Sequence, residues 1–280
     1  MKTILKIAFL CTLFSVFFIS CQKDNSSSLK QNTFASKFKA TNLSSTDNWT
    51  QLPGYGNDIS VGADGSVFIT DTTTVSATGG YAILKWNGTG WSTFAGAGVR
   101  LAVDPTGKPW VVNKSHLIYK YNGPLYQALP GTATDIGIGA DGSAFICDTT
   151  TVTASTGFRV SKWNGTSWTV MSGIAGVRVA VDSTGTPWVV NKSNLIYKYN
   201  GSTWTLLPGT ATDIGIGKNG AVYIVSATPV LASDGYVISK WNGSGWTATV
   251  SGVGINISVD PQGHPWTVNA SYLIYNNLNL

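Results

Sequence analysis

A chain of 280 residues that is 43% hydrophobic and 11% aromatic can bury a substantial core, either as two ordinary domains or as one large all-β domain. Gly is abundant at 32 residues, charged side chains make up only 11%, and Glu is absent, so helices laced with ion pairs lack raw material and strands joined by turns are expected. The formal charge of +5 is concentrated in the first 48 residues (Lys2, Lys6, Lys23, Lys30, Lys37, Lys39), and beyond them Asp nearly balances Lys and Arg, which excludes nucleic acid as a partner.

In chain order, residues 1–20 place Lys2 and Lys6 ahead of an apolar run, the pattern of an export signal. Phe18-Ile19-Ser20-Cys21 resembles a bacterial lipobox, with Phe18 where Leu is usual. Acylation of Cys21 would make the membrane a partner through a lipid anchor only, at the outer membrane or cell surface; cleavage as an ordinary secreted protein is the alternative. Residues 21–48, polar and Ser-rich, read as a flexible tether. Cys11 lies in the signal, so Cys147 has no partner for a disulfide in the mature chain.

From residue 49 the chain repeats. GTATDIGIGADGS at 131–143 returns as GTATDIGIGKNGA at 209–221, and a shift of 77 or 78 superposes Trp49 with Tyr126 and Trp204, and Trp91 with Trp168 and Trp246. Each long unit halves into related segments, six in all. Each segment offers four short strand candidates; in the first they are 58–62, 66–70, 81–86 and 91–94, with Ala63-Asp64-Gly65 and Asn87-Gly88 as turns. This predicts an all-β fold, a six-bladed β-propeller of four-stranded blades spanning 49–280. Small residues at the third position of every inner strand (Ser60, Ala102, Gly137, Ala180, Gly215, Ser258) suit blades that narrow toward an axis. The last segment lacks a fourth strand, so 49–52 is expected to close the ring by pairing within the last blade.

The residues that start the inner strands, Asp58, Arg100, Asp135, Arg178, Asp213 and Asn256, alternate in charge, and a structural ring of pairs at the channel mouth is expected from them. Second strands of even segments end in Trp110, Trp188 and Trp266, each followed by a short polar loop: Asn113-Lys114-Ser115, Asn191-Lys192-Ser193 and Asn269-Ala270-Ser271. An aromatic surface beside amide and ammonium donors suits a sugar, so Trp110, Asn113, Lys114, Trp188, Asn191, Lys192, Trp266 and Asn269 are the candidate carbohydrate ligands; core packing for the tryptophans and turn capping for the asparagines are the structural alternatives. Long connections at 71–80, 148–157 and 226–235 emerge on the same face, where pockets between tall and low loops are expected.

The recurring segments LPGTATDIGIGADGS, GKPWVVN and KWNGTSW resemble the tectonin repeat over roughly residues 49–280. The resemblance implies the propeller fold and, more weakly, a lectin that binds glycans or lipopolysaccharide-like surface sugars. A lipid anchor departs from the soluble lectins of that family. An envelope protein is the alternative partner. Neither His116 nor His264 recurs in the repeat, and no phosphate loop, nucleophile elbow or metal spacing is present, so no catalytic residue, metal or cofactor is expected.

Overall fold

The structure, a computed structural model, describes residues 48–230 and 234–280; the export signal, the lipidation candidate Cys21 and the tether up to residue 47 lie outside the described residues. Regular structure among the described residues is entirely β, in 22 strands joined as antiparallel sheets. One sheet runs β2 (Asp58–Val61), β3 (Val67–Ser76), β4 (Gly80–Trp86), β5 (Trp91–Gly98) in simple up-and-down order. A seven-stranded sheet follows, in which β6 (Arg100–Val103), β7 (Pro109–Val112) and β8 (Leu117–Tyr121) lead through β9 (Tyr126–Ile138) to β10 (Ala144–Thr153), β11 (Gly157–Trp163) and β12 (Trp168–Gly176). Its counterpart comprises β13 (Arg178–Val181), β14 (Pro187–Val190), β15 (Leu195–Tyr199), β16 (Trp204–Ile216), β17 (Val222–Pro229), β18 (Tyr236–Trp241) and β19 (Trp246–Gly254).

The sequence predicts an outer strand, a link and then a separate inner strand at both of these junctions. Instead, β9 and β16 are continuous strands of 13 residues each. The first part of β9 pairs with β8 as far as Leu117↔Thr132, and the remainder pairs with β10 from Asp148↔Ala133 onward. Gly131, at φ 82°, forms a bulge inside β9 where its register with β8 shifts, and the N–H of Ala133 donates to the His116 carbonyl at 2.8 Å, which keeps the strand tied as it changes partner.

The last sheet joins the two ends of the described chain. In order it is β1 (Thr50–Tyr55), β22 (Leu273–Asn276), β21 (Pro265–Val268) and β20 (Asn256–Val259). Thr50, Gln51 and Leu52 face Asn276, Tyr275 and Ile274, and after a bulge the pairing extends to Tyr55↔Leu273, beyond the 49–52 expected. Leu52 lies 8% exposed among Ile59, Ile69, Trp266, Val268 and Ile274, residues from both ends of the chain.

Packing repeats with the sequence. Trp110, Trp188 and Trp266 each enter a cluster of inner- and second-strand aliphatics flanked by a tryptophan pair: Trp163 and Trp168, Trp241 and Trp246, Trp86 and Trp91. The inner strands approach one another so closely that a Cβ at Gly137 would lie 2.3 Å from the Val179 carbonyl oxygen. That contact explains the narrow residues at this register.

Candidate functional site

The strand alternation puts the starts of the inner strands, the β7–β8, β14–β15 and β21–β22 loops, and the tall β3–β4, β10–β11 and β17–β18 hairpins on one face. At its centre the charged residues do converge. Arg100 Nη1 donates to Asp58 Oδ1 at 2.9 Å, and Arg100 Nε lies 3.8 Å from Asp135 Oδ1; Arg178 Nε lies 3.3 Å from Asp213 Oδ1. Asn256, which breaks the alternation, donates Nδ2 to Asp58 Oδ1 at 3.2 Å.

The second oxygen of each Asp has a separate task. Asp58, Asp135 and Asp213 accept from the backbone N–H of Leu101, Val179 and Ile257 at 2.8–2.9 Å, so each carboxylate stitches an odd inner strand to the following even one. Three carboxylates share two guanidiniums. Burial, opposed by Arg178 and Arg100 and reinforced by Asp213, pushes Asp135 up to about 6. Burial raises Asp213 as well. Below the ring, a cavity of about 80 Å³ is lined by these side chains and by inner-strand residues including Ser60 and Ser258.

The eight sugar candidates separate sharply. Trp110, Trp188 and Trp266 are only 4%, 3% and 6% exposed, and Lys120 and Lys198 reach across from the third strands to lie 4.8 and 4.7 Å from the ring centroids of the first two. All three tryptophans are core side chains, and Trp110 and Trp188 are capped by a cation. Asn113 Oδ1 accepts from the N–H groups of Ser115 and Leu117, both at 2.9 Å, and Asn191 and Asn269 do the same in their loops. Buried and committed to the turn, they have the capping role. Lys114 and Lys192 remain, both exposed.

Open pockets between tall and low loops are not what the structure builds. The N–H groups of Lys114 and Ser115 donate to Gly79 and Thr78 carbonyls (3.4 and 3.2 Å); Lys192 N–H donates to Thr156 O (3.2 Å) and Ser193 Oγ to Ser155 O (2.8 Å); Ala270 N–H donates to Asp234 O (3.4 Å). Each tall hairpin therefore leans on the next low loop, and the pair presents one composite rim. On the first two rims the exposed residues run Thr72-Thr73-Thr74-Val75 and Thr150-Thr151-Val152-Thr153. The seam also holds a contact that sequence reading missed: Ser258 Oγ accepts the N–H of Val61 at 2.9 Å. Its signal was the hydroxyl in place of Ala102 and Ala180.

Residues 151–279 match the Tectonin family model. They form a tectonin domain. No curated protein matches the sequence. Among solved structures, the chain is similar to a gluconolactonase from Xanthomonas campestris, with a TM-score of 0.58 at 12% identity over 81% of this chain and 87% of that one. A chain from a mitotic checkpoint complex gives 0.54 at 11% identity, covering 85% and 96%. A streptogramin B lyase gives 0.52 at 15% identity, covering 84% and 95%. At such identities the likeness concerns the fold, a β-propeller, which carries unrelated functions in these proteins. Among the described residues no group of three His, Cys, Asp or Glu side chains could hold a metal ion.

Proposed function

We propose that this tectonin protein is a six-bladed propeller of four-stranded blades that binds carbohydrate, without catalysis, on its loop face. The blade division is supported by the change of partner within β9 at Thr132/Ala133 and within β16 at Thr210/Ala211, which cuts each seven-stranded sheet into two sets of four. The observation that carries the binding reading is the composite rim. Exposed ammonium groups of Lys114 and Lys192 stand on low loops fastened by backbone hydrogen bonds to hydroxyl-bearing hairpins, in a pseudo-threefold array. Ala270 makes the third copy weaker. Ammonium and hydroxyl groups are suited to sugar hydroxyls, and linked shallow sites gain about 10²–10⁴ in apparent affinity over one site.

A non-catalytic role is supported by the ring carboxylates, each of which commits an oxygen to a neighbouring strand. Residues 1–21 support export and lipid anchoring at the bacterial envelope, where glycans or lipopolysaccharide-like sugars are available. The test is a glycan array probed with the purified protein: the Lys114→Ala/Lys192→Ala variant is expected to lose at least about tenfold in binding with its melting curve unchanged. An array on which the wild-type protein binds nothing would sink the reading. Exposed Val75 (57%) and Val152 (50%) at the hairpin tips favour a second reading, a protein partner in the envelope. Cross-linking that recovers one stoichiometric protein, insensitive to competing sugar, would select it.

A further inference from the structure

Nine hairpins among the described residues share one three-residue loop. In each, the N–H of the first residue donates to the carbonyl of the fifth, and the N–H of the fourth donates back to the first, as in Gly62 N→Ser66 O (2.8 Å) with Gly65 N→Gly62 O (2.9 Å). The fourth residue must then adopt the left-handed conformation. On the face opposite the tall hairpins six such loops solve this with glycine: Gly65, Gly107, Gly142, Gly185, Gly220 and Gly263, with φ between +76° and +98°. On the loop face the same frame recurs three times, for example Asn113 N→Leu117 O (3.0 Å) with His116 N→Asn113 O (2.9 Å), yet the left-handed residues there are His116 (φ 65°), Asn194 (63°) and Tyr272 (64°).

An L side chain in this conformation meets a steric penalty that glycine escapes, and Tyr bears it more than Asn. The loop hydrogen bonds do not require the side chains. Their carbonyls accept from Ala133, Ala211 and Gly56 N–H at 2.8–2.9 Å, bonds that glycine would keep. His116 Nδ1 is 3.1 Å from the Ala133 carbonyl oxygen, while Tyr272 is 46% exposed and Asn194 is partly exposed. With Nδ1–H given to that carbonyl, the imidazole keeps Nε2 as an acceptor, while the amide and the phenol each offer both a donor and an acceptor.

We infer that His116, Asn194 and Tyr272 are the ligand-reading residues of the three composite rims, retained against glycine because each hydrogen-bonds the hydroxyl groups of a glycan. The inference rests on the carbohydrate reading above. Each stands two residues from Lys114, Lys192 or Ala270, so the three sites differ: ammonium with imidazole, ammonium with amide, and phenol without a cation. They would read successive, chemically unlike sugars of one branched or repeating glycan more readily than three copies of one residue.

The experiment makes His116→Gly, Asn194→Gly and Tyr272→Gly singly in the full chain, and measures melting temperature and binding to an array of immobilised neutral and acidic glycans. Relief of the left-handed penalty is expected to raise the melting temperature by about 2–4 °C for Tyr272→Gly, less for Asn194→Gly, while binding falls about tenfold with a different glycan profile for each variant. Wild-type binding that all three variants retain would overturn the inference and leave the carbohydrate reading standing. Variants that melt lower would show the side chains to be structural, and would overturn it too. A wild-type protein that binds no glycan overturns both.

Discussion

The indole N–H of Trp168 donates to the carbonyl of Pro130 at 2.8 Å, joining the outer edges of two neighbouring sets of strands. Trp91 does the same to Pro53 at 2.7 Å, and Trp246 to Pro208 at 2.8 Å. The residue after each of these prolines is a left-handed glycine whose Cβ would approach the same indole: 3.3 Å at Gly131 and 2.9 Å at Gly209, both to Cδ1. The repeated Leu-Pro-Gly is thus the receiving half of an inter-strand clasp. Gly131→Ala is expected to cost about 1–2 kcal/mol for the left-handed backbone, and Gly209→Ala more because the indole must also move. Gly88→Ala meets nothing within 4 Å and bears only the backbone cost. Urea denaturation of the three variants checks the order; equal costs would disprove the clasp.

Closure of the ring gives a second comparison. Leu52 faces Ile274 across the seam as Leu129 faces Ile118, and Leu207 faces Ile196, inside the continuous sheets. If the first strand is a full member of the last sheet, Leu52→Ala should destabilise by about 2–5 kcal/mol, the usual range for a buried Leu, and match Leu129→Ala. A Leu52→Ala protein that melts like the wild type while Leu129→Ala does not would mean that the seam is open in solution.

These two tests also mark how far the sequence could be read. The inner-strand register, the charged ring and the closing strand were legible because they recur at a fixed spacing and each repeat poses the same steric problem. The merger of outer and inner strands into β9 and β16 was not, since the glycine of Gly-Thr-Ala-Thr suits a link between strands as well as the left-handed bulge it forms inside one. At the candidate site, a tryptophan at a strand end looks the same whether it faces solvent or a neighbouring strand set. The deciding signal was Lys120 and Lys198, which sit in register opposite Trp110 and Trp188 and cover their rings. His116, Asn194 and Tyr272 align with one another in the repeat, but only the backbone angle shows that glycine would have been the neutral choice.

Asp135 predicts a pH dependence whose sign is definite. Its folded value, about 6, lies above its ordinary carboxylate value of 3.8, so the protonated form is favoured by folding. Its contribution is complete below pH 4 and is lost as pH rises through about 6. Asp182 has the opposite sense: burial would raise it, but hydrogen bonds from Thr184 and Thr186 hold it low, so its contribution is lost only on acidification below the ordinary carboxylate range. Melting temperature should therefore decline between pH 5 and 7, and Asp135→Asn should flatten that decline while its amide oxygen still accepts from Val179. Asn256→Asp would add a fourth carboxylate beside Asp58, and should steepen it. Identical pH profiles for all three proteins would refute the assignment.

Cys147 supplies a readout of opening for the whole ring. It is fully buried on β10, packed with Phe145, Val160, Val179 and Val189, and burial, reinforced by Asp135, pushes its thiol well above the ordinary range. Only the thiolate attacks a disulfide reagent, so the native protein should be inert at pH 8. Val179 lies on the following inner strand, and reaching the sulfur requires separating β10 from β13. The rate of labelling by an aromatic disulfide should then rise with urea in parallel with loss of tryptophan fluorescence. Leu52→Ala should accelerate it by roughly the factor that its stability loss implies, since 1.4 kcal/mol corresponds to about tenfold. Rapid labelling of the native wild-type protein would show that these two strands part locally, without cooperative opening of the ring.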